Sequence, residues 1–186
     1  MKKLIAALLC LVSHGAHAKE ESSLPICEVP VRFLADSMPD LSVDHSRSIA
    51  QLDALEGVPY SGARVGHVMV EARISIRPRK DCDGHEVQLA FVNPVLRVVR
   101  ELREGSCGYE HVLEHERTHV RIYRDMAKQF AALTLPAHLE PEQAPAFAAE
   151  QYDILYRQQT ALDSPAEYAK NHTVCGGEIT RRIRGR

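Results

Sequence analysis

Three histidines recur at every fourth residue in GYEHVLEHERTHVRIYRDM, residues 108–126: His111, His115 and His119. On a helix, residues four apart lie on nearly one face and about 6 Å apart along the axis. Two such imidazoles can meet one metal ion, each at about 2.0–2.1 Å. His111 and His119 are separated by roughly 12 Å of axis, too far for one ion to bridge. One adjacent pair must form the site, and the residues between decide which. His115-Glu116-Arg117-Thr118-His119 is H-E-x-x-H, the pattern in which two histidines hold zinc and the glutamate is the general base. Glu116 projects about 100° round the helix from the first ligand, where it reaches a water on the metal without ligating the ion itself. Val112 holds that place between His111 and His115 and takes no proton. His111 is therefore expected at the surface or in support of the site, not as a ligand.

A catalytic zinc has three protein ligands and an open position for water. The metzincin extension would put a glycine and then a histidine beyond His119, but the chain has Ile122 and Asp125 there. The third ligand must come from elsewhere. A second helix running back along the first would bring residues 157–163 level with the histidines. Asp163 lies there and continues the apolar stripe Ala148, Tyr152, Leu155, Gln159, which makes it the first choice. Asp153 and Glu150 stay open as alternatives. Tyr168 and His172 follow closely enough to donate to the oxyanion of a tetrahedral intermediate.

The elements that must hold these residues are legible in part. Apolar positions Ile122, Met126, Phe130 and Leu133 predict a long helix, with Ser106 as its N-cap and Pro136 beyond its end. FAAEQYDILYRQQTALD, residues 147–163, predicts a second helix. HVMVEARISI, residues 67–76, alternates with period two, the mark of a half-buried strand. Asp83-Gly84 reads as the tip of a turn, after which EVQLAFV returns as an antiparallel partner. NPVLRVVREL reads as a third, edge strand, where an opening proline is tolerated. Residues 19–45, with prolines at 25, 30 and 39, read as irregular, and HSRSIAQLDALEG as a short helix closed by Gly57. The expected fold is α+β: a small antiparallel sheet of two to three strands packed against the long H-E-x-x-H helix and a second, antiparallel helix.

MKKLIAALLCLVSHGAHA, residues 1–18, has two lysines, a short apolar run and Ala16-His17-Ala18, the layout of a signal peptide cleaved after Ala18. Its run is too short to span a bilayer, which needs about 20 apolar residues. Cys10 raises a lipoprotein as the lesser alternative. Residues 19–186 are then expected to form one domain, periplasmic or secreted. Without the two leader lysines, 21 basic residues stand against 25 acidic ones, a balance that argues against a nucleic-acid partner. Four cysteines remain, Cys27, Cys82, Cys107 and Cys175, an even count that suits two disulfides in an exported chain. Cys82 with Cys107 and Cys27 with Cys175 is the favoured of three pairings.

Taken together, the signal peptide, the hairpin with a cysteine near its turn, LEHERTHV and the later QTALDSPAEY resemble a zincin metallopeptidase. More narrowly, the layout over residues 58–170 is similar to a family of bacterial secreted proteins predicted to be zinc-dependent proteases. That family tends to carry Y-D-x-x-T-x-H, where this chain has Leu162-Asp163 and then Tyr168 in place of the histidine. The resemblance implies zinc held by His115, His119 and a downstream carboxylate, Glu116 as base, and a peptide or protein substrate. The rival expectation is a non-catalytic envelope protein with a structural zinc or a docking surface. Neither substrate identity nor a protein partner can be read from the residues.

Overall fold

The computed structural model describes residues 24–55 and 64–185. The expected leader at 1–18 and Gly57 lie outside the described residues. The chain runs β1 (Ile26–Ala35), β2 (Val43–Asp44), α1 (Ile49–Asp53), β3 (Gly66–Pro78), β4 (Asp83–Val98), α2 (Cys107–Ala131), α3 (Ala144–Leu162), α4 (Pro165–Lys170) and α5 (Glu178–Arg184). Short 3-10 turns at Pro141–Gln143 and Val174–Gly177 precede α3 and α5.

The fold is α+β, but the small antiparallel sheet expected from the sequence is overturned. The sheet has four strands, with β1 and β2 parallel to β4 on one side of it. On the other side β3 pairs antiparallel with β4 along almost its whole length. The irregular reading of 19–45 fails because β1 is there, with Val31 and Phe33 buried. Pro30 is tolerated because, among the described residues, β1 is hydrogen-bonded to a strand on one side only, and the register breaks between Ile26 and Val31. Asp83-Gly84 opens β4 and does not tip the turn. Gly84 has no room for a side chain, since a Cβ would stand 2.6 Å from the Pro30 carbonyl oxygen.

NPVLRVV is not a separate edge strand either. It is the second half of β4, lying between β2 and β3. The proline fits because Asn93 adopts φ 50° and the register shifts opposite Met69 and Glu71, a bulge that inserts one residue. The bulge also moves β4's inward positions from odd numbers (Val87, Leu89) to even ones (Leu96, Val98), so one long strand stays apolar on its helix side.

Both long helices cover that face. α2 buries Val112, Leu113, Val120, Tyr123, Met126 and Phe130 against the sheet, at the spacing of one helical stripe. Phe130 and Phe147 each meet Phe33 edge-on, at 5.9 and 5.8 Å. Ser106 caps α2 by accepting from the Tyr109 amide. Glu178 accepts from the Gly108 amide at 2.8 Å.

The cysteines pair as Cys27–Cys82 and Cys107–Cys175, which corrects the expected pairing. Cys27 leads into β1 beside the β3–β4 turn that carries Cys82, and Cys107 opens α2 beside the turn before α5. Cys27 meets Cys82 through strand pairing and Cys107 meets Cys175 through the docking of the C-terminal turn on α2, contacts that spacing along the chain does not reveal. Two disulfides suit an oxidising, extracytoplasmic environment. Among the described residues no helix is long and apolar enough to cross a membrane.

Candidate metal centre

α2 and α3 each contribute residues four apart, and the two pairs interlock. His115 and His119 face Gln159 and Asp163. Asp163, at the C-cap of α3, places Oδ1 3.2 Å from His115 Nε2 and 3.1 Å from His119 Nε2. The three candidate ligand atoms all lie within 4.8 Å of one another. Two ligands of a tetrahedral zinc, each at about 2.0–2.1 Å, are about 3.4 Å apart. The donor set therefore fits a divalent ion with little adjustment, and the group can hold a metal.

The supporting contacts point the same way. Gln159, 4 % exposed, sets Oε1 2.5 Å from His119 Nδ1 and donates through Nε2 to the His119 carbonyl at 3.1 Å. With Nδ1–H donated to Gln159 and Nε2–H to Asp163, His119 is held so that a metal ion displacing the Nε2 proton would meet that nitrogen, the orienting role typical of residues behind a metal ligand. The Tyr168 hydroxyl donates to Asp163 Oδ1 at 2.8 Å. It thus holds the candidate ligand carboxylate, a different role from the oxyanion donor expected above.

Electrostatics follow from this packing. Burial works to raise the Asp163 pKa, but hydrogen bonds from His115, His119 and Tyr168 and the charge of His119 hold the carboxyl far below its usual range. Burial works to lower His119, yet Asp163, Glu116 and Gln159 together raise it. Glu116 is enclosed, 5 % exposed, and burial pushes its carboxyl up to about 7 despite His119 and His115 nearby. That value suits a group that must both take and release a proton near neutrality.

All these residues line one cavity of 840 Å³. The start of β3 forms its other wall, with Arg64, Gly66, His67 and Val68. Gly66 is required for space: a Cβ there would stand 2.3 Å from Glu116 Oε1 and 2.6 Å from Val112 Cγ1. His111 and His172 line the cavity without joining the three converging ligands. Asp153 and Glu150 are exposed on α3 and take no part in the cavity wall. The sequence reading missed Gln159 as a supporting residue, although its place four before Asp163 on the inward stripe was the available signal. It also missed Gly66, Arg64 and His67, because strand alternation does not show which end of a strand meets a helix. Comparison with known proteins finds no family, no curated relative and no solved structure that matches the chain.

Proposed function

We propose that the chain is an exported zinc-dependent peptidase, with His115, His119 and Asp163 as metal ligands and Glu116 as general base. The observation that carries this reading is the convergence of His115 Nε2, His119 Nε2 and Asp163 Oδ1 beside the buried Glu116, on the wall of an open cavity. A structural zinc site is closed by four protein ligands. Three ligands facing 840 Å³ of space favour catalysis over the structural alternative. Zinc is the choice because imidazole and carboxylate ligands on an H-E-x-x-H helix suit it.

Zinc bound there would lower the pKa of a water ligand towards about 7 and polarise a substrate carbonyl. Glu116 takes the proton of the attacking water on its carboxylate and passes it to the leaving amine. Its enclosure by Gly66 and Val112 fixes the direction in which that carboxylate points. Gln159 and Tyr168 keep His119 and Asp163 from turning away. β3, with β4 on one side and no strand on the other among the described residues, offers an edge on which an extended peptide can add as a further strand.

The test is Glu116→Gln in protein purified from an oxidising compartment and loaded with zinc. The variant should keep one equivalent of zinc and lose hydrolysis of denatured casein that the parent protein performs. Equal hydrolysis by both, or none by the zinc-loaded parent, contradicts the proposal.

A further inference from the structure

The cavity wall carries a cation, Arg64, that no carboxylate neutralises among the described residues. Arg64 leads into β3, and its stem is pinned: its backbone amide donates to Asp53 Oδ1 at 2.7 Å and Nη1 to the Leu52 carbonyl at 3.0 Å. Among the described residues no carboxylate lies within ion-pair distance of its guanidinium. The acidic groups that share the cavity have other partners or roles. Asp163 is held by the histidines and Tyr168, Glu167 is paired with Lys170, and Glu116 is enclosed by Gly66 and Val112.

His67 stands beside this charge. Among the described residues its Nδ1 is buried without a hydrogen-bond partner. Directly across the ladder is Arg97, whose Nη1 is also buried and unpartnered. A guanidinium only donates, so Arg97 cannot accept the proton of this ring. Burial first, and then the charges of Arg64 and Arg97, push the His67 ring down to about 4, so it is neutral near pH 7. A held guanidinium and a neutral imidazole thus line the same wall, at the start of the strand that would carry substrate.

We infer that Arg64 and His67 form an anion subsite that selects substrates bearing a carboxylate next to the bond to be cut, as an acidic side chain or as the free C-terminus of the peptide. The subsite rests on the peptidase reading and gives it a substrate class. A carboxylate seated there forms charge-assisted hydrogen bonds with Arg64, the residue best shaped for it. The two sources share one chemistry and differ in consequence: the first gives an endopeptidase cutting beside acidic residues, the second a carboxypeptidase.

Three N-acetylated penta-alanine peptides separate them: one with a free carboxyl end, one amidated, and one amidated with a central glutamate. Binding to the zinc-loaded Glu116→Gln protein is measured by calorimetry. At least one carboxylate peptide should bind about ten- to a hundredfold tighter than the uncharged amide. Arg64→Gln should erase that preference, and Arg64→Lys, which keeps the charge, should restore part of it. Equal affinities for all three peptides, no binding of any at millimolar concentration, or a preference that survives Arg64→Gln each overturn the subsite. Hydrolysis by the parent protein is scored separately. Cleavage without carboxylate preference removes the subsite alone, whereas carboxylate-selective binding without cleavage removes the peptidase reading alone.

Discussion

Gly66→Ala is the smallest change that reaches Glu116, the proposed base, without touching His115, His119 or Asp163. Gly66 does not adopt the left-handed conformation that glycine uniquely favours, so alanine suits its backbone. Its side chain does not fit. The new Cβ would stand 2.3 Å from Glu116 Oε1, 2.6 Å from Val112 Cγ1 and 2.8 Å from Glu116 Cγ, all closer than real Cβ atoms approach. Val112 and Glu116 are both buried in α2, so neither side chain can swing into solvent. Overpacking of this kind costs about 1–3 kcal/mol, and the smaller entropy of the unfolded alanine chain returns about 0.4–1 kcal/mol. The net loss of about 1–2 kcal/mol should lower Tm by roughly 2–8 °C for a chain of this length. Ordinary contact requires Glu116 to move by about 1 Å, a displacement that costs about a hundredfold in rate when it misplaces a reacting group. His115, His119 and Asp163 are untouched, so zinc stoichiometry should remain one. Calorimetric unfolding, metal analysis and casein hydrolysis on the same preparation read out all three. A Gly66→Ala protein with parental Tm and parental kcat would refute the packing argument and the role given to Glu116 together.

Further expectations concern the groups behind the metal and the frame around it. Gln159→Leu removes the acceptor on His119 Nδ1 and should weaken zinc affinity about 10–100-fold in a chelator competition; unchanged affinity would mean Gln159 serves packing alone. Tyr168→Phe should weaken zinc affinity about tenfold through Asp163 without lowering Tm by more than about 2 °C. Zinc removal should invert the pH dependence of stability. In the metal-free protein, the stability from the raised His119 pKa is full below 6.5 and lost as pH rises through its folded value. Glu116, raised from 4.5 to about 7, also costs stability over that rise. The depressed Asp163 contributes above 3.8 and loses its contribution only on acidification. The buried His67, lowered from 6.5 to about 4, acts the other way below 6.5 and no longer contributes to the slope above it. Metal-free protein should therefore lose stability from about pH 6.5 to 8, while zinc-loaded protein gains it as protons cease to compete for His119; parallel curves in denaturant titrations would contradict this. Replacing Cys107 and Cys175 with alanine opens a 68-residue separation and should cost about 2–4 kcal/mol, measured by denaturant unfolding.

Much of the centre was readable from local periodicity. H-E-x-x-H spacing selects His115, His119 and Glu116 as candidates, and counting forward along the second helix from its loop reaches residues 157–163, where Asp163 is the first choice. Both steps need only the rise per residue of a helix. What local patterns did not reveal is what depends on contacts far apart in the chain. The alternation of Val31, Phe33 and Ala35 was present, but Pro25 and Pro30 masked it, and nothing near it announces a parallel partner more than fifty residues on. Asn93-Pro94 reads as a boundary because both residues usually end strands, whereas here they form a bulge that β4 needs to keep Leu96 and Val98 inward. The disulfides follow from that pairing: once β1 lies beside β4, Cys27 meets Cys82. His67 sits at a position that alternation alone turns away from the core. The end of β3 adjoining α2 makes that position part of the cavity.

Anomalous diffraction at the zinc absorption edge, from crystals of zinc-loaded protein, tests the proposed centre most directly. A single strong peak is expected at about 2.0–2.2 Å from His115 Nε2, His119 Nε2 and an Asp163 carboxylate oxygen, with the Glu116 carboxylate nearby but outside ligating distance. A peak held by other residues, or none between α2 and α3, would contradict the account.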